Sequence, residues 1–429
     1  VLGNRNIDRT GNVTGTGTLT VTGNLDVYQG TIAANLASTG STAFEKFSSN
    51  TVTLSGDNSR LASTGVTLHY EGSLILDYTS SNTTKLRAAS ALEMRGSNLV
   101  LNGNASAPTA QTVGGITLAN GVGSSRITLN PGGSQEVVLN LGAITRAANA
   151  RAGTIRFVLP SGTQSATNGI TTTTALVNGI LGTAAYATVD DGTGVWFAGK
   201  SGNNIVALVS TAKNDVTTWL TGDHVTDETT GFTGAFSSIA LNSLRLNAAG
   251  GSDIDLGNTG VLGLTTGGLL VTDQVAGTPS ILNGTIFSGA QASNVPEFIL
   301  THDGTTTFEL GADIRANTAF TKSGTGTVLL SGNNTSTGDV AIHAGTVELS
   351  GANAIGDNAR VTLASHRNSI LRLSGNETIG RLEGGQRQTD GDWGVVEIGS
   401  HTLTLNQSAS TTYAGRFTGS GTLVMSPSS

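Results

Sequence analysis

Short apolar bursts, separated by Gly, Asn, Thr and Ser, recur along most of the chain. Between Phe320 and Gly351 the bursts are Val328-Leu329-Leu330, Val340 with Ile342, and Val347 with Leu349. Apolar and polar positions that alternate over so few residues predict short β-strands, and the Gly- and Asn-rich segments between them predict turns. Strands this short favour a coil in which each strand stacks on its counterpart one turn later. The pattern therefore predicts an all-β fold, a parallel β-solenoid with short lateral loops.

Changes in this pattern divide the chain into regions. Mixed apolar spacing from Ile32 to Phe47 allows one short cap helix near the N-terminus. The most polar stretch, Lys213 to Thr230, is predicted to be a lateral loop that Trp219 and Leu220 pin to the coil. The predicted regions are 1–60, a lead with the first rungs; 61–319, the main solenoid with a looser, loop-bearing stretch near 161–240; and 320–429, a solenoid with an open C-terminal end.

One segment resembles a known repeat. Its residues are Lys322-Ser323-Gly324-Thr325-Gly326-Thr327, Leu330-Ser331-Gly332-Asn333-Asn334-Thr335, Thr337-Gly338 and Ala344-Gly345-Thr346-Val347. They are similar to the autotransporter-associated β-strand repeat of bacterial autotransporter passengers and large secreted surface proteins. The family usually has an aromatic residue where this chain has Ser336, whereas a second, partial copy near the C-terminus keeps one at Tyr413. The resemblance implies a right-handed parallel β-helix that is secreted or displayed on a bacterial surface.

Composition favours one long core over several compact ones. The 429 residues would fill about three compact domains, but a solenoid lengthens its core along a single axis. Gly is frequent, at 60 residues, and Pro is rare, at 6, which fits tightly turned strands better than a Pro-rich disordered linker. Charged residues make up 12%, so Thr, Ser and Asn must supply most of the solvated surface.

Charge and cysteine content exclude several classes of protein. The formal net charge is -7 and no basic run occurs, which argues against nucleic-acid binding. The chain has no Cys, which excludes disulfides, thiol chemistry and Cys-ligated metals. No apolar run reaches the roughly 18 residues of a transmembrane helix. The start at Val1, without a signal-peptide pattern, indicates that a leader was removed or that the chain lies within a longer precursor.

Acidic residues are the first candidates for chemistry, because polysaccharide-degrading enzymes also use β-helices. Asp190 and Asp191 form an adjacent acidic pair, but catalysis would need further acids or bases at matching height on neighbouring rungs. Asp-Asp-Gly is also favourable turn chemistry, and we interpret the pair as a turn. We therefore predict no catalytic residue and no cofactor.

Metal binding is the second candidate chemistry. Asp223, His224 and Asp227 have suitable residue types for metal ligands, but a solvated loop is the favoured interpretation, so no metal site is predicted. The other histidines stand alone beside strands or turns and are predicted to lie on the surface; they are His69, His302, His343, His366 and His401.

Three functions follow from these observations. The first is a non-enzymatic subunit of an extracellular bacterial fibre or surface layer, because a solenoid leaves an open strand ladder at each end. The second is a passenger fragment of an autotransporter adhesin that binds cells or glycans through lateral loops. The third is a polysaccharide-acting enzyme, which the turn interpretation of Asp190 and Asp191 disfavours. All three imply a protein that is secreted or held on the cell surface after removal of a leader.

The fibre hypothesis makes the most specific prediction about partners. Contact between the C-terminal end of one copy and the N-terminal end of the next is heterologous and builds open filaments. The partner would then be a second copy of the chain, whereas the adhesin hypothesis predicts cell-surface glycans or neighbouring cells. The predicted assembly residues are Val1, Leu2, Ile7, Leu19, Val21, Leu423, Val424 and Met425.

Overall fold

Aliphatic and aromatic side chains stack from strand to strand through the interior of the molecule. A computed structural model describes residues 11–69, 72–119, 123–147, 152–292, 295–334, 338–365, 368–386, 393–407 and 409–427. Matched inward positions are filled in consecutive turns by Phe308, Val328, Val347, Leu371 and Val396. All five side chains are fully buried, and most strands pair in parallel with the strand one turn away. The predicted parallel β-solenoid is confirmed.

A first coil occupies residues 11–190. Its strands form stacks in which every second side chain is buried, as Leu74 and Leu76 are in the strand Ser73–Asp77. The strands are β1 (Thr18–Val21), β2 (Leu25–Val27), β3 (Gly30–Ile32), β4 (Asn35–Ser38), β5 (Thr42–Lys46), β6 (Thr51–Leu54), β7 (Ser63–His69), β8 (Ser73–Asp77), β9 (Ala91–Arg95), β10 (Asn98–Asn102), β11 (Thr109–Thr112), β12 (Ile116–Leu118), β13 (Ser124–Asn130), β14 (Val137–Asn140), β15 (Ile144–Arg146), β16 (Thr154–Val158), β17 (Gly169–Thr171), β18 (Leu176–Val177), β19 (Ile180–Leu181) and β20 (Ala187–Asp190).

Antiparallel strands close the end of the first coil. They are β21 (Val195–Ser201) and β22 (Asn204–Ala207). Strand β21 pairs antiparallel with both β20 and β22, and β22 pairs antiparallel with β17. This pair, which we call the cap, ends the parallel stacking and reverses the chain.

A second coil follows over residues 211–427. Its short 3-10 helix covers Val216–Thr218. Its strands are β23 (Thr211–Ala212), β24 (His224–Thr226), β25 (Ile239–Leu246), β26 (Asp253–Asp255), β27 (Val261–Val271), β28 (Ser280–Ser288), β29 (Gln291–Ala292), β30 (Val295–His302), β31 (Thr307–Ile314), β32 (Ala319–Ser323), β33 (Thr327–Leu330), β34 (Val340–Ile342), β35 (Gly345–Leu349), β36 (Arg360–Leu363), β37 (Ser369–Leu373), β38 (Glu377–Ile379), β39 (Arg381–Gly384), β40 (Val395–Gly399), β41 (Thr402–Gln407), β42 (Arg416–Gly419) and β43 (Thr422–Pro427).

The second coil lies beside the first and runs in the opposite direction. Near the cap, the backbone N–H of Ala185 donates to the carbonyl of Thr266 over 3.0 Å. Farther from the cap, the hydroxyls of Thr154 and Ser323 are 2.8 Å apart. Later turns of the second coil therefore face earlier turns of the first. Alternation within strands carries no information about how one coil packs on another, so this return is not predictable from the alternation.

Close approach of the coils requires a glycine at one point. A Cβ atom placed on Gly268 would lie 2.4 Å from the Cβ of Ala185 and 2.9 Å from the ring of Phe197. Those distances are shorter than van der Waals contact, so the contact between β27 and the first coil depends on the missing side chain.

The predicted cap helix over residues 32–47 is wrong. The stretch contains β4 and β5, and alternate residues such as Ala34, Leu36 and Phe44 are buried. Strand β5 hydrogen-bonds in parallel with β2 and β7. This pairing with two neighbouring turns outweighs the weak helical spacing of the local sequence. The described residues contain no helix with the length and apolarity that a membrane span would need.

The polar stretch from Lys213 to Thr230 holds the short helix and β24. Trp219 is buried, donates its indole N–H to the carbonyl of Lys213 over 2.9 Å, and packs edge-on against Phe232. Leu220, in contrast, is 64% exposed. The prediction for Leu220 is therefore wrong, since Trp219 already fills the apolar space beneath this segment.

Candidate functional site at the seam between the coils

The contact between the two coils, which we call the seam, contains a buried ion pair. Arg146 of β15 and Glu297 of β30 form two parallel hydrogen bonds, of 2.5 and 2.7 Å, and the Glu297 side chain is fully buried. The Thr321 hydroxyl donates to Glu297 over 2.8 Å. Arg146 also donates to the carbonyls of Ala152 and Gly153. Both charged groups therefore have an opposite charge and further hydrogen-bond partners, which a buried ion pair needs to offset the loss of water.

Further polar contacts continue along the seam. Arg156 of β16 forms an ion pair with Asp303, just after β30. The Ser323 hydroxyl lies 2.8 Å from Thr154 and donates to Ser124 over 3.3 Å. Apart from Asp303, these side chains sit on the outward faces of strands whose inward faces fill the cores. The outward face that would meet water in an isolated coil is used here to join the coils.

A cleft of about 170 Å³ opens in the seam beside these contacts. Residues of both coils line it, so the fold-back creates it. Its main polar side chains are Asn98, Arg126, Arg156, Asp303, Thr325 and Asn368.

Arg126 is the distinctive residue of this cleft. It occupies the outward position of β13, in register with Asn98 on one side and Arg156 on the other. Arg126 is exposed at the opening of the cleft; partial loss of the surrounding water, and then the like charge of Arg156, lower the pKa of Arg126. Within the described part of the chain, no carboxylate is paired with its guanidinium, whereas Arg156 is paired with Asp303. The cleft therefore contains a cation that has no ion-pair partner among the described residues.

Asp190 is the last residue of β20, and Asp191 begins the turn that leads to β21. Asp190 accepts the backbone N–H of Gly192 over 3.1 Å, and Asp191 accepts both the backbone N–H and the hydroxyl of Thr193. Both carboxylates are thus occupied in shaping the turn, as the turn interpretation predicts.

The three suggested metal ligands have separate partners. Asp223 pairs with Lys213 at 2.5 Å, and the Nδ1 atom of His224 lies 2.8 Å from the Ser243 hydroxyl. Asp227 is fully buried and accepts the backbone N–H of Ala248 over 3.1 Å. Over the described ranges, no three His, Asp or Glu side chains come together as a metal-binding group.

The surface prediction for the histidines is wrong at three positions. His69, His302 and His343 are buried. His69 stacks on Phe47 with ring centroids 4.4 Å apart, and His302 hydrogen-bonds to the carbonyl of Thr306. Corners between stacked turns exclude water from these rings. His401 is half-buried, and His366 lies outside the described residues.

The predicted assembly residues fall into two groups at one end of the double coil. Leu19 on β1 is 37% exposed and Val21 is half-buried. Leu423, Val424 and Met425 are exposed on β43. Because the coils are antiparallel, β1 and β43 both lie at the ends away from the cap, rather than at opposite ends of the molecule. Their role in assembly stays a prediction, and Val1, Leu2 and Ile7 lie outside the described residues.

Comparison with known families identifies part of the second coil. Residues 320–353, from β32 to just past β35, match the family model described as the passenger-associated-transport-repeat. We refer to residues 320–353 as the transport repeat. They include the segment from Lys322 to Val347 that resembles the autotransporter-associated β-strand repeat.

The chain is also similar to a curated bacterial adhesin. Over 298 residues, which are 66% of the chain, the chain is 30% identical to the adhesin BmaC autotransporter of Brucella suis biovar 1, strain 1330. The matched region covers 8% of that adhesin, so the chain spans a small part of the curated relative's length. No solved structure matches the chain.

Two buried polar residues hold the turns of the transport repeat together. The Lys322 ammonium donates to the carbonyls of Ser323, Gly324 and Ala344 over 2.8, 2.8 and 3.2 Å. Asn334 accepts the backbone N–H of Ile314 over 2.6 Å and donates to the carbonyl of Ala354 over 2.9 Å. Each residue therefore joins neighbouring turns through backbone groups that would otherwise be buried without partners.

The first coil contains the same device. Residues 44–58 share with residues 320–334 the elements Phe-x-Lys, Thr-Val-x-Leu-Ser-Gly and a final Asn, in the same order and at the same spacing. Lys46 is fully buried and donates to the carbonyl of Ser48. Asn58 accepts the N–H of Leu36 and donates to the carbonyl of Lys85, both over 3.1 Å. This copy is not among the predicted repeats, although both segments contain Leu-Ser-Gly-x-Asn.

Proposed function

We propose that the chain is a segment of an autotransporter passenger that acts, without enzymatic activity, as an adhesin at the bacterial surface. The observation that carries this proposal is the 30% sequence identity to the adhesin BmaC autotransporter over 66% of the chain. The transport repeat supports the same secretion class. A passenger of this kind is secreted or surface-exposed, and its partners are molecules on cells or surfaces.

The double coil suits such a role because it is a stiff scaffold. Each turn is joined to the next by backbone hydrogen bonds and buried ladders, so a binding surface on it keeps its shape. The absence of Cys in the sequence is compatible with an extracellular protein that is stabilised by stacking. This function accounts for the observations better than a head-to-tail fibre, since the two predicted assembly groups lie at the same end of the molecule.

Adhesion of coated beads tests the proposal directly. Latex beads that carry the purified chain are expected to bind a mammalian epithelial monolayer several-fold more than beads that carry albumin. Beads coated with the heat-denatured chain serve as the matched control. Equal binding by the folded chain and albumin, with the fold verified by circular dichroism, would contradict an adhesin function.

A further inference from the structure

We propose that the cleft in the seam binds the carboxylate of an acidic sugar, with Arg126 as the main binding group. The inference rests on the proposed adhesin function and names the class of ligand. It follows from three features of the cleft: its charge, its lining and its size.

The charge of the cleft favours an anion. Arg126 and Arg156 occupy matched outward positions in neighbouring turns, which lie roughly 4.8 Å apart in a sheet. Like charges placed directly opposite each other repel. Asp303 compensates Arg156, and Asp190, the other acid that acts on Arg126, is engaged with the turn at Gly192. A ligand carboxylate would supply the missing partner, and a guanidinium binds a carboxylate through two parallel hydrogen bonds.

The lining favours a sugar over an acidic peptide. The residues that line the cleft with Arg126 include Asn98, Asn368 and Thr325. Amide and hydroxyl groups suit the alternating hydroxyls of a sugar ring. The largest apolar side chain in the lining is that of Ala344, so the cleft has no large apolar side chain against which a peptide side chain could pack.

The size limits the ligand to a terminal or branching sugar unit. The cleft measures about 170 Å³, below the roughly 300–1,000 Å³ of pockets that enclose drug-sized molecules. One sugar ring with its carboxylate would occupy the cleft while the remainder of the glycan stays in solvent. Sialic acids and uronic acids share this chemistry.

Titration of the purified chain with defined sugars tests the assignment. The probes are 3′-sialyllactose, digalacturonate, neutral lactose and a tetraglutamate peptide, followed by calorimetry or saturation-transfer NMR. We expect one or both acidic sugars to bind and lactose not to bind. The Arg126→Gln variant should weaken binding roughly tenfold to hundredfold, because a hydrogen-bonded charge pair is lost. Arg126→Lys, which keeps the charge but not the planar fork, should fall in between.

The control variant is Arg87→Gln, since Arg87 is an exposed arginine of the first coil away from the cleft. It should bind as the unmodified chain does, and thermal melting should show that both variants are folded. Equal affinity of Arg126→Gln and the unmodified chain would overturn the proposal, and so would a preference for the peptide. If coated beads adhere to cells but acidic sugars do not bind, the cleft assignment fails alone. If sugars bind through Arg126 but beads do not adhere, the adhesin function fails alone.

Discussion

The transport repeat and its copy in the first coil build the same core but differ on their outer faces. In β5 of the copy, Glu45 is half-buried and pairs with His69 at 3.1 Å. The matched residue of β32 in the repeat is Thr321, which is fully buried against the first coil and donates to Glu297. The same strand therefore serves as a solvated face in one coil and as a packed face in the other. The residues allowed at outward positions therefore depend on whether water or the other coil covers that face, and not on the apolar residues at the inward positions.

A second difference concerns the corner that follows the buried lysine. Ser48 has a φ of 76° and the matched Gly324 a φ of 75°, so both corners use the left-handed conformation that favours glycine. The Ser48 hydroxyl donates to the carbonyl of Tyr28 over 2.6 Å. A Cβ on Gly324 would lie 2.3 Å from the carbonyl oxygen of His302. In both corners the buried lysine donates to the carbonyl of the residue with positive φ. The neighbouring turn decides whether that residue can carry a side chain.

A reciprocal swap of the outward residues should give the largest effect. Thr321→Glu places a second carboxylate beside buried Glu297, which among the described residues is paired with Arg146 alone. We expect unfolding free energy to fall by more than about 3 kcal/mol, as for an unpaired buried charge. Urea denaturation followed by circular dichroism measures the change.

The opposite exchange, Glu45→Thr, is the control for this swap. It removes a partly exposed pair with His69 and should change stability by about 1 kcal/mol or less. Equal losses in the two variants would mean that the seam is not packed in solution.

Removal of the buried asparagines should have an intermediate effect, and a similar one in both coils. Asn334→Ala removes the side-chain partners of the Ile314 N–H and the Ala354 carbonyl. Asn58→Ala removes the side-chain partner of the Lys85 carbonyl, whereas the Leu36 N–H keeps a second acceptor in the Asp57 carbonyl at 3.1 Å. Each should destabilise by about 1–3 kcal/mol. Hydrogen exchange of the Ile314 amide should rise in Asn334→Ala, and exchange of the Leu36 amide should rise less in Asn58→Ala, because the Asp57 carbonyl still accepts its N–H.

Asn333, beside Asn334 but exposed, provides the matched control. Asn333→Ala should leave both stability and amide exchange nearly unchanged. If only Asn334→Ala destabilises, the device in the first coil is not equivalent to that of the transport repeat.

Titration of Lys322 should give the smallest effect near neutral pH. Burial lowers its pKa to about 7, from an ordinary value of 10.5. The unfolded chain then binds more protons than the folded chain between these values, so stability rises with pH across this window and is flat below it. The increment from Lys322 should be about 1 kcal/mol between pH 7 and 8.

Comparison with Lys322→Met isolates this increment, because the variant cannot titrate there. Denaturation curves are measured at pH 6, 7, 8 and 9. Above pH 7, the unfolding free energy of the unmodified chain should rise relative to that of Lys322→Met, and below pH 7 the difference between the two proteins should stay constant. Parallel stability profiles would contradict a lowered lysine pKa in the transport repeat.

Much of the fold was predictable because it repeats local rules. The strands around Val328 and Val347 follow from alternation, and the turns between them follow from Gly and Asn. The helix expected over residues 32–47 failed because apolar spacing in a short window is ambiguous, whereas interstrand pairing of β5 is decisive. The turn at Asp190 was predictable from residue type alone. The cleft was not, because Arg126 and Asp303 come together only across the seam.

The sequence by itself determined the rung: alternating side chains, Gly and Asn corners, and an inward Lys and Asn that join neighbouring turns. These features are local or repeat from one turn to the next, so each turn carries its own instructions. The tertiary structure alone decided the return of the second coil, the burial of Glu297 against Arg146, and the cleft at Arg126. Such contacts join residues far apart in the chain. They are favourable only where the two coils together exclude water, which a single strand cannot do.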